Sequence, residues 1–96
     1  MRNREDIFQI LSEVKPQLQR DFSLNSIGVF GSFAKNEYNE NSDLDILIET
    51  SKPIGWKLLS LQIYLEKLIN IKVDLTTKNA LKSQLKDEIL NSVIYI

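Results

Sequence analysis

The chain has 96 residues, 43% of them hydrophobic and 26% charged, with only three Gly and two Pro; that is the profile of one small folded domain, not of a disordered tail. Twelve basic residues against thirteen acidic ones leave a formal charge of −1, so the basic surplus that displaces counterions from nucleic acid is missing and no extended nucleic-acid partner is expected. Cysteine and histidine are both absent, which excludes disulfides, zinc sites built on thiolate or imidazole, and Ser-His or Cys-His catalysis.

The start, Met1-Arg2-Asn3-Arg4-Glu5-Asp6, is polar with no long apolar run behind it. No stretch approaches the roughly 20 apolar residues that cross a bilayer, so a cytoplasmic protein with no membrane partner is expected. From Arg4 to Arg20 the apolar residues Ile7, Ile10, Leu11, Val14 and Leu18 follow helical spacing. Pro16 removes an amide donor and predicts a kink or a fresh first turn. Phe22 closes the stripe, and Leu24-Asn25-Ser26 reads as a turn.

Ile27-Gly28-Val29-Phe30 is β-prone and runs into Gly31-Ser32, a strand entering a tight turn. Phe33 to Asn36 predicts a turn or two of helix, and Glu37 to Ser42 a polar loop. Leu44 to Thr50 alternates as a strand, with Leu44, Ile46 and Ile48 on one face and Asp43, Asp45, Leu47 and Glu49 on the other. After Ser51-Lys52-Pro53 a second helix spans about Gly55 to Ile69, its stripe of Leu58, Leu61, Leu65 and Leu68 widened by Leu59, Ile63 and Ile69. Trp56 and Tyr64 read as packing residues of this helix. Asn70 is a helix stop.

Ile71 to Thr76 alternates again, with Ile71, Val73 and Leu75 inward and Asp74 outward. Asn79 to Asn91 predicts a third long helix, buried along Leu81, Leu85, Ile89 and Leu90, while Lys78, Lys82 and Lys86 form a solvated face. Val93 to Ile96 adds a short strand. The order predicts an α+β fold: one domain over residues 1–96, with a small mixed sheet and helices packed on one face.

The chemistry lies on the other face. Asp43 and Asp45, two apart on a strand, project to the same side roughly 7 Å apart, and like charges so placed repel unless a cation intervenes. Asp74, pointing away from the core on a second strand, brings a third carboxylate to that face. Hard oxygen ligands suit Mg²⁺ or Mn²⁺, and two ions so clamped serve in-line attack at phosphorus. Gly31-Ser32, at the start of a short helix, can offer backbone N–H groups and a hydroxyl to a phosphate; Ser32 is equally read as a helix N-cap.

Gly31-Ser32-Phe33-Ala34-Lys35-Asn36-Glu37 with Ser42-Asp43-Leu44-Asp45 resembles the signature of the polymerase-β-type nucleotidyltransferase superfamily, Gly-Ser-x-Ala-Arg-Gly-Glu followed by Ser-Asp-x-Asp. Val73-Asp74-Leu75 and Leu81-Lys82-Ser83-Gln84-Leu85 fit two further slots, and the length is that of the smallest members, the minimal nucleotidyltransferases (MNT domains). Lys35 stands for the usual Arg and keeps the charge without the bidentate fork. Asn36 stands for the usual Gly and tolerates a left-handed backbone.

The resemblance implies that Asp43, Asp45 and Asp74 hold two Mg²⁺ ions, that Gly31, Ser32 and Lys35 meet the phosphates of ATP, and that AMP passes to a hydroxyl. It further implies an antitoxin whose acceptor is a tyrosine of a helical HEPN-type toxin. Two other readings stay open: a binding module that neutralises its partner by contact, and a catalytic subunit modifying a small hydroxylated substrate.

Overall fold

A computed structural model describes residues 3–96. Met1 and Arg2, the first two residues of the polar start, lie outside the described residues. Helix α1 spans Arg4–Phe22. The Asn3 side chain caps it, accepting from the Asp6 amide at 2.8 Å, and Glu5 and Asp6 complement the positive end of its dipole. Of the kink or fresh first turn expected at Pro16, the fresh turn does not occur: the helix is assigned through it. Pro16 is exposed, and the buried Leu11 and Leu18 anchor the turns on either side of the one missing donor.

Ser23 alone makes the reversal out of α1, with φ of 55°. Strand β1 therefore starts at Leu24 and runs to Phe30, and Leu24-Asn25-Ser26 is strand where a turn was expected. Leu24 is only 4% exposed, and a bulge between it and Ser26 adjusts the register. Helix α2 (Gly31–Ala34), strand β2 (Leu44–Thr50), helix α3 (Lys57–Ile69) and strand β3 (Val73–Thr77) follow. Lys78–Ala80 is a 3-10 turn, and helix α4 (Ser83–Ser92) and strand β4 (Ile94–Tyr95) end the chain. The expected third helix is thus shorter and begins after an extended break at Leu81 and Lys82.

The sheet order is β3-β2-β1-β4, with β1 antiparallel to both β2 and β4, and β2 parallel to β3. The parallel pair is joined by the crossover through α3, which with α1 covers one face. There Ile7, Leu11 and Leu18 of α1 and Leu61, Leu65 and Ile69 of α3 meet Ile27, Val29, Leu44, Ile46, Ile48, Val73 and Leu75, all buried in one cluster.

Three expectations of burial fail. Leu59 and Ile63 do not widen the buried stripe of α3; they are 61% and 43% exposed, and Trp56, read as a packing residue, is 79% exposed. Helix α4 buries none of its residues fully, because it packs against the four-residue α2 and not over the core. The second face of the sheet is also less open than expected. Gly28 pairs with Leu47, and a side chain at Gly28 would strike the Val93 side chain at 2.6 Å. The missing side chain thus admits the link from α4 to β4 over that face, and Leu47 is 1% exposed.

Candidate active site

Alternation in β2 and β3 puts Asp45 and Asp74 on the face away from the α1–α3 layer, and parallel pairing sets them directly opposite one another. Asp45 also pairs with Phe30, the last residue of β1, so the Gly31-Ser32 turn emerges beside it. Asp43 lies two residues before Asp45, exposed at the mouth of the strand.

The crowding has an electrostatic signature. The Asp45 carboxyl is pushed up from 3.8 to about 6, first by burial, then by the charges of Asp74 and Asp43 and by a side-chain hydrogen bond with Asp74. Asp45 is the half-buried member of the set, whereas Asp74 and Asp43 face solvent. A carboxyl raised by burial and by two neighbouring negative charges marks a place where positive charge would be welcome.

Gly31 is what lets the turn lie against Asp45. Its φ is +69°, and a Cβ there would run into the Asp45 carboxylate, with Cγ at 3.0 Å. Ser32 is not the N-cap of α2: that position is Phe30, which has no capping side-chain bond. The Ser32 hydroxyl makes no hydrogen bond among the described residues, while its carbonyl accepts from the Glu37 amide at 2.8 Å. Asn36 adopts φ of 60°, the left-handed conformation required where the motif has Gly.

Residues that sequence reasoning passed over brace this turn. The Arg4 guanidinium donates to the carbonyls of Phe33 and Ala34 at 3.3 and 3.0 Å, satisfying the end of α2. The Arg4 amide donates to the Tyr38 hydroxyl at 3.1 Å, and Tyr38 stacks on Phe33 with ring centroids 4.3 Å apart. Tyr38 was visible as the lone aromatic of a polar loop. Arg4 carried no signal, since nothing local tells a helix-start arginine which distant carbonyls it will meet.

A sequence profile described as "Nucleotidyltransferase domain" matches residues 11–96. The chain belongs to the nucleotidyltransferase family. Protein adenylyltransferase MntA of Thermococcus cleftensis is 40% identical to this nucleotidyltransferase over 96% of its length and 94% of the relative's. MJ0126 of Methanocaldococcus jannaschii, provisionally named a protein adenylyltransferase, is 43% identical over the whole of both chains.

Among solved structures, one provisionally described as a minimal nucleotidyltransferase superposes with a TM-score of 0.85 at 26% identity, covering 97% of this chain and 95% of that one. A chain from the complex of tri-AMPylated Shewanella oneidensis HEPN toxin with MNT antitoxin has a TM-score of 0.62 at 19% identity, over 97% of this chain and 67% of that one. That last likeness is one of fold.

In this nucleotidyltransferase the six expected site residues are not equally gathered. Gly31, Ser32, Asp45 and Asp74 come together, with Asp43 alongside. Lys35 lies past the end of α2, with its Nζ 3.8 Å from Glu88 of α4. Among the described residues no three His, Cys, Asp or Glu side chains could hold an ion between them, so the carboxylates form a pair with a neighbour, not a closed cage. That donor set still fits Mg²⁺, which keeps waters and phosphate oxygens among its ligands and needs only one or two carboxylates. A hollow of about 670 Å³ opens next to Asp43, lined also by Asn41, Ser42, Asn70 and Lys72. Among the described residues no helix is long and apolar enough to cross a membrane.

Proposed function

We propose that this nucleotidyltransferase, acting as a single domain over residues 1–96, moves AMP from ATP onto a tyrosine hydroxyl of a helical HEPN-type toxin and thereby acts as its antitoxin in the cytoplasm. The observation that carries the reading is the Asp45–Asp74 pair, set in register across parallel strands beside the Gly31-Ser32 turn. The two relatives named as protein adenylyltransferases support the protein acceptor, and the AMPylated toxin complex supports the kind of partner.

The Asp45–Asp74 pair would hold Mg²⁺, with Asp43 closing on it from alongside once the triphosphate is bound; the resemblance implies two ions, and Mn²⁺ is an acceptable substitute. A metal held there would supply charge to neutralise the triphosphate and to lower the pKa of the acceptor hydroxyl. The chain's own residues do the rest. The Gly31 amide and Ser32 hydroxyl donate to the outer phosphates, and Lys35, tied to Glu88 only by a loose surface pair, swings to the same oxygens. Asp74, the solvent-facing member of the pair, orients the incoming hydroxyl and accepts its proton. The hydroxyl oxygen then bonds to the α-phosphorus as the bond to the bridging oxygen breaks, and pyrophosphate leaves.

The test mixes purified partner, ATP and Mg²⁺ with this protein or its Asp74→Asn variant. Intact mass of the partner should rise by one or more AMP groups with the native protein only, and partner activity should fall in step. If both proteins silence the partner equally and its mass never changes, neutralisation is by contact and the transfer reading is wrong.

A further inference from the structure

The outward side of α3 is built the wrong way for a solvated helix. Trp56, Leu59 and Ile63 recur at i, i+3 and i+7 and are 79%, 61% and 43% exposed, opposite the buried Leu61 and Leu65. Single exposed apolar residues are ordinary, but three in a helical stripe form a continuous patch. Its surroundings are basic: Lys57 and Lys67 lie on the same helix, and Arg20, Lys52 and Lys57 gather around a hollow at its start, where Asp21 is the acid present. Glu66 is already engaged, accepting from the Val73 amide at 2.9 Å.

We propose that this face docks a helix of the toxin partner that presents an apolar stripe rimmed by Asp and Glu; the identity of the partner rests on the antitoxin reading above. Spacing at i, i+3 and i+7 matches helix-on-helix recognition, and the basic rim selects an acidic one. A second copy fits poorly. A two-fold interface on α3 would set lysine against lysine, and a head-to-tail one would lay the basic rim on the carboxylates and bury the site. The α3 face lies across the sheet from Asp45 and Asp74, so a partner helix held there does not cover the carboxylates. Docking and chemistry occupy opposite faces.

Partner affinity is measured by calorimetry at low and moderate salt for the native protein, Trp56→Ser/Ile63→Ser, and Lys52→Glu/Lys57→Glu. Both variants should bind at least about tenfold more weakly, and the charge-reversed one should lose the native salt dependence. Both should melt no lower than the native protein and transfer AMP normally at saturating partner. Native affinity in both variants would overturn the proposal. So would sedimentation showing a native dimer that Trp56→Ser/Ile63→Ser dissociates, or a loss of binding seen only toward a single-stranded oligonucleotide. Stripe-dependent binding without AMP transfer would leave this docking surface standing and remove the transferase reading; transfer with stripe-independent binding would do the reverse.

Discussion

Asp45 sits opposite Asp74 across one strand pairing, with Asp43 two residues before it, and burial first, then those two charges, raises its carboxyl from 3.8 to about 6. Below 3.8 it is neutral in the folded and unfolded chains alike. Between 3.8 and about 6 the folded chain keeps a proton that the unfolded chain has lost, so Asp45's contribution to stability falls as pH rises through that window. Above it the folded state carries the full cost of the half-buried charge and of its repulsion by Asp74 and Asp43. Asp45→Asn should therefore melt higher than the native protein in metal-free buffer at neutral pH, with the difference vanishing near pH 3.8, while AMP transfer is lost. Thermal melts across pH check this; a native protein that gains stability on Asp45 ionisation would contradict it. Ser32 makes a complementary case. Its hydroxyl has no partner among the described residues, so Ser32→Ala should leave melting within about 0.5 kcal/mol of native. Triphosphate affinity should fall by roughly 1–3 kcal/mol, as for a hydrogen bond to a charged group. A loss in stability without a loss in affinity would make Ser32 a structural residue.

At the level of elements, the β1–α2 junction and β2 are fitted to one another through Gly31. A residue with a side chain there must accept φ of +69° and also displace the Asp45 carboxylate. Gly31→Ala should cost about 1–3 kcal/mol in stability and abolish transfer, since Asp45 is pushed from its place opposite Asp74. Circular dichroism melts and labelled-ATP transfer on the same sample separate the two effects. The strands carrying this geometry were legible beforehand, because Leu44, Ile46 and Ile48 alternate with Asp43 and Asp45, and Val73 and Leu75 flank Asp74. Period-two alternation states directly which side chains leave the core. Helical stripes are less informative. Leu59 and Ile63 look the same in sequence whether they face a core or a partner, and the stripe of α4 marks a helix that packs on the small α2. The Arg4 bonds to Phe33 and Ala34 were illegible because they depend on where two distant elements come to rest. Ser23 shows how a single left-handed residue can replace a turn that composition spreads over three.

For the molecule as a whole, the parallel pairing of β2 with β3 across the α3 crossover has a kinetic consequence. Strands β1 and β2 are joined by residues 31–43, whereas β2 and β3 are joined by the longer segment 51–72, which includes α3 and crosses over the sheet. Contacts that close the longer loop come late, because chain entropy is lost before they repay it. The repulsion between Asp45 and Asp74 therefore arises on the native side of the folding barrier, where it pries β3 from β2 without hindering the approach to the transition state. Relieving it should lengthen the lifetime of the folded chain and leave the speed of folding alone. In metal-free stopped-flow experiments at neutral pH, Asp45→Asn should lower the unfolding arm of the chevron and superimpose on the native folding arm; a shift confined to the folding arm would mean that β3 docks early.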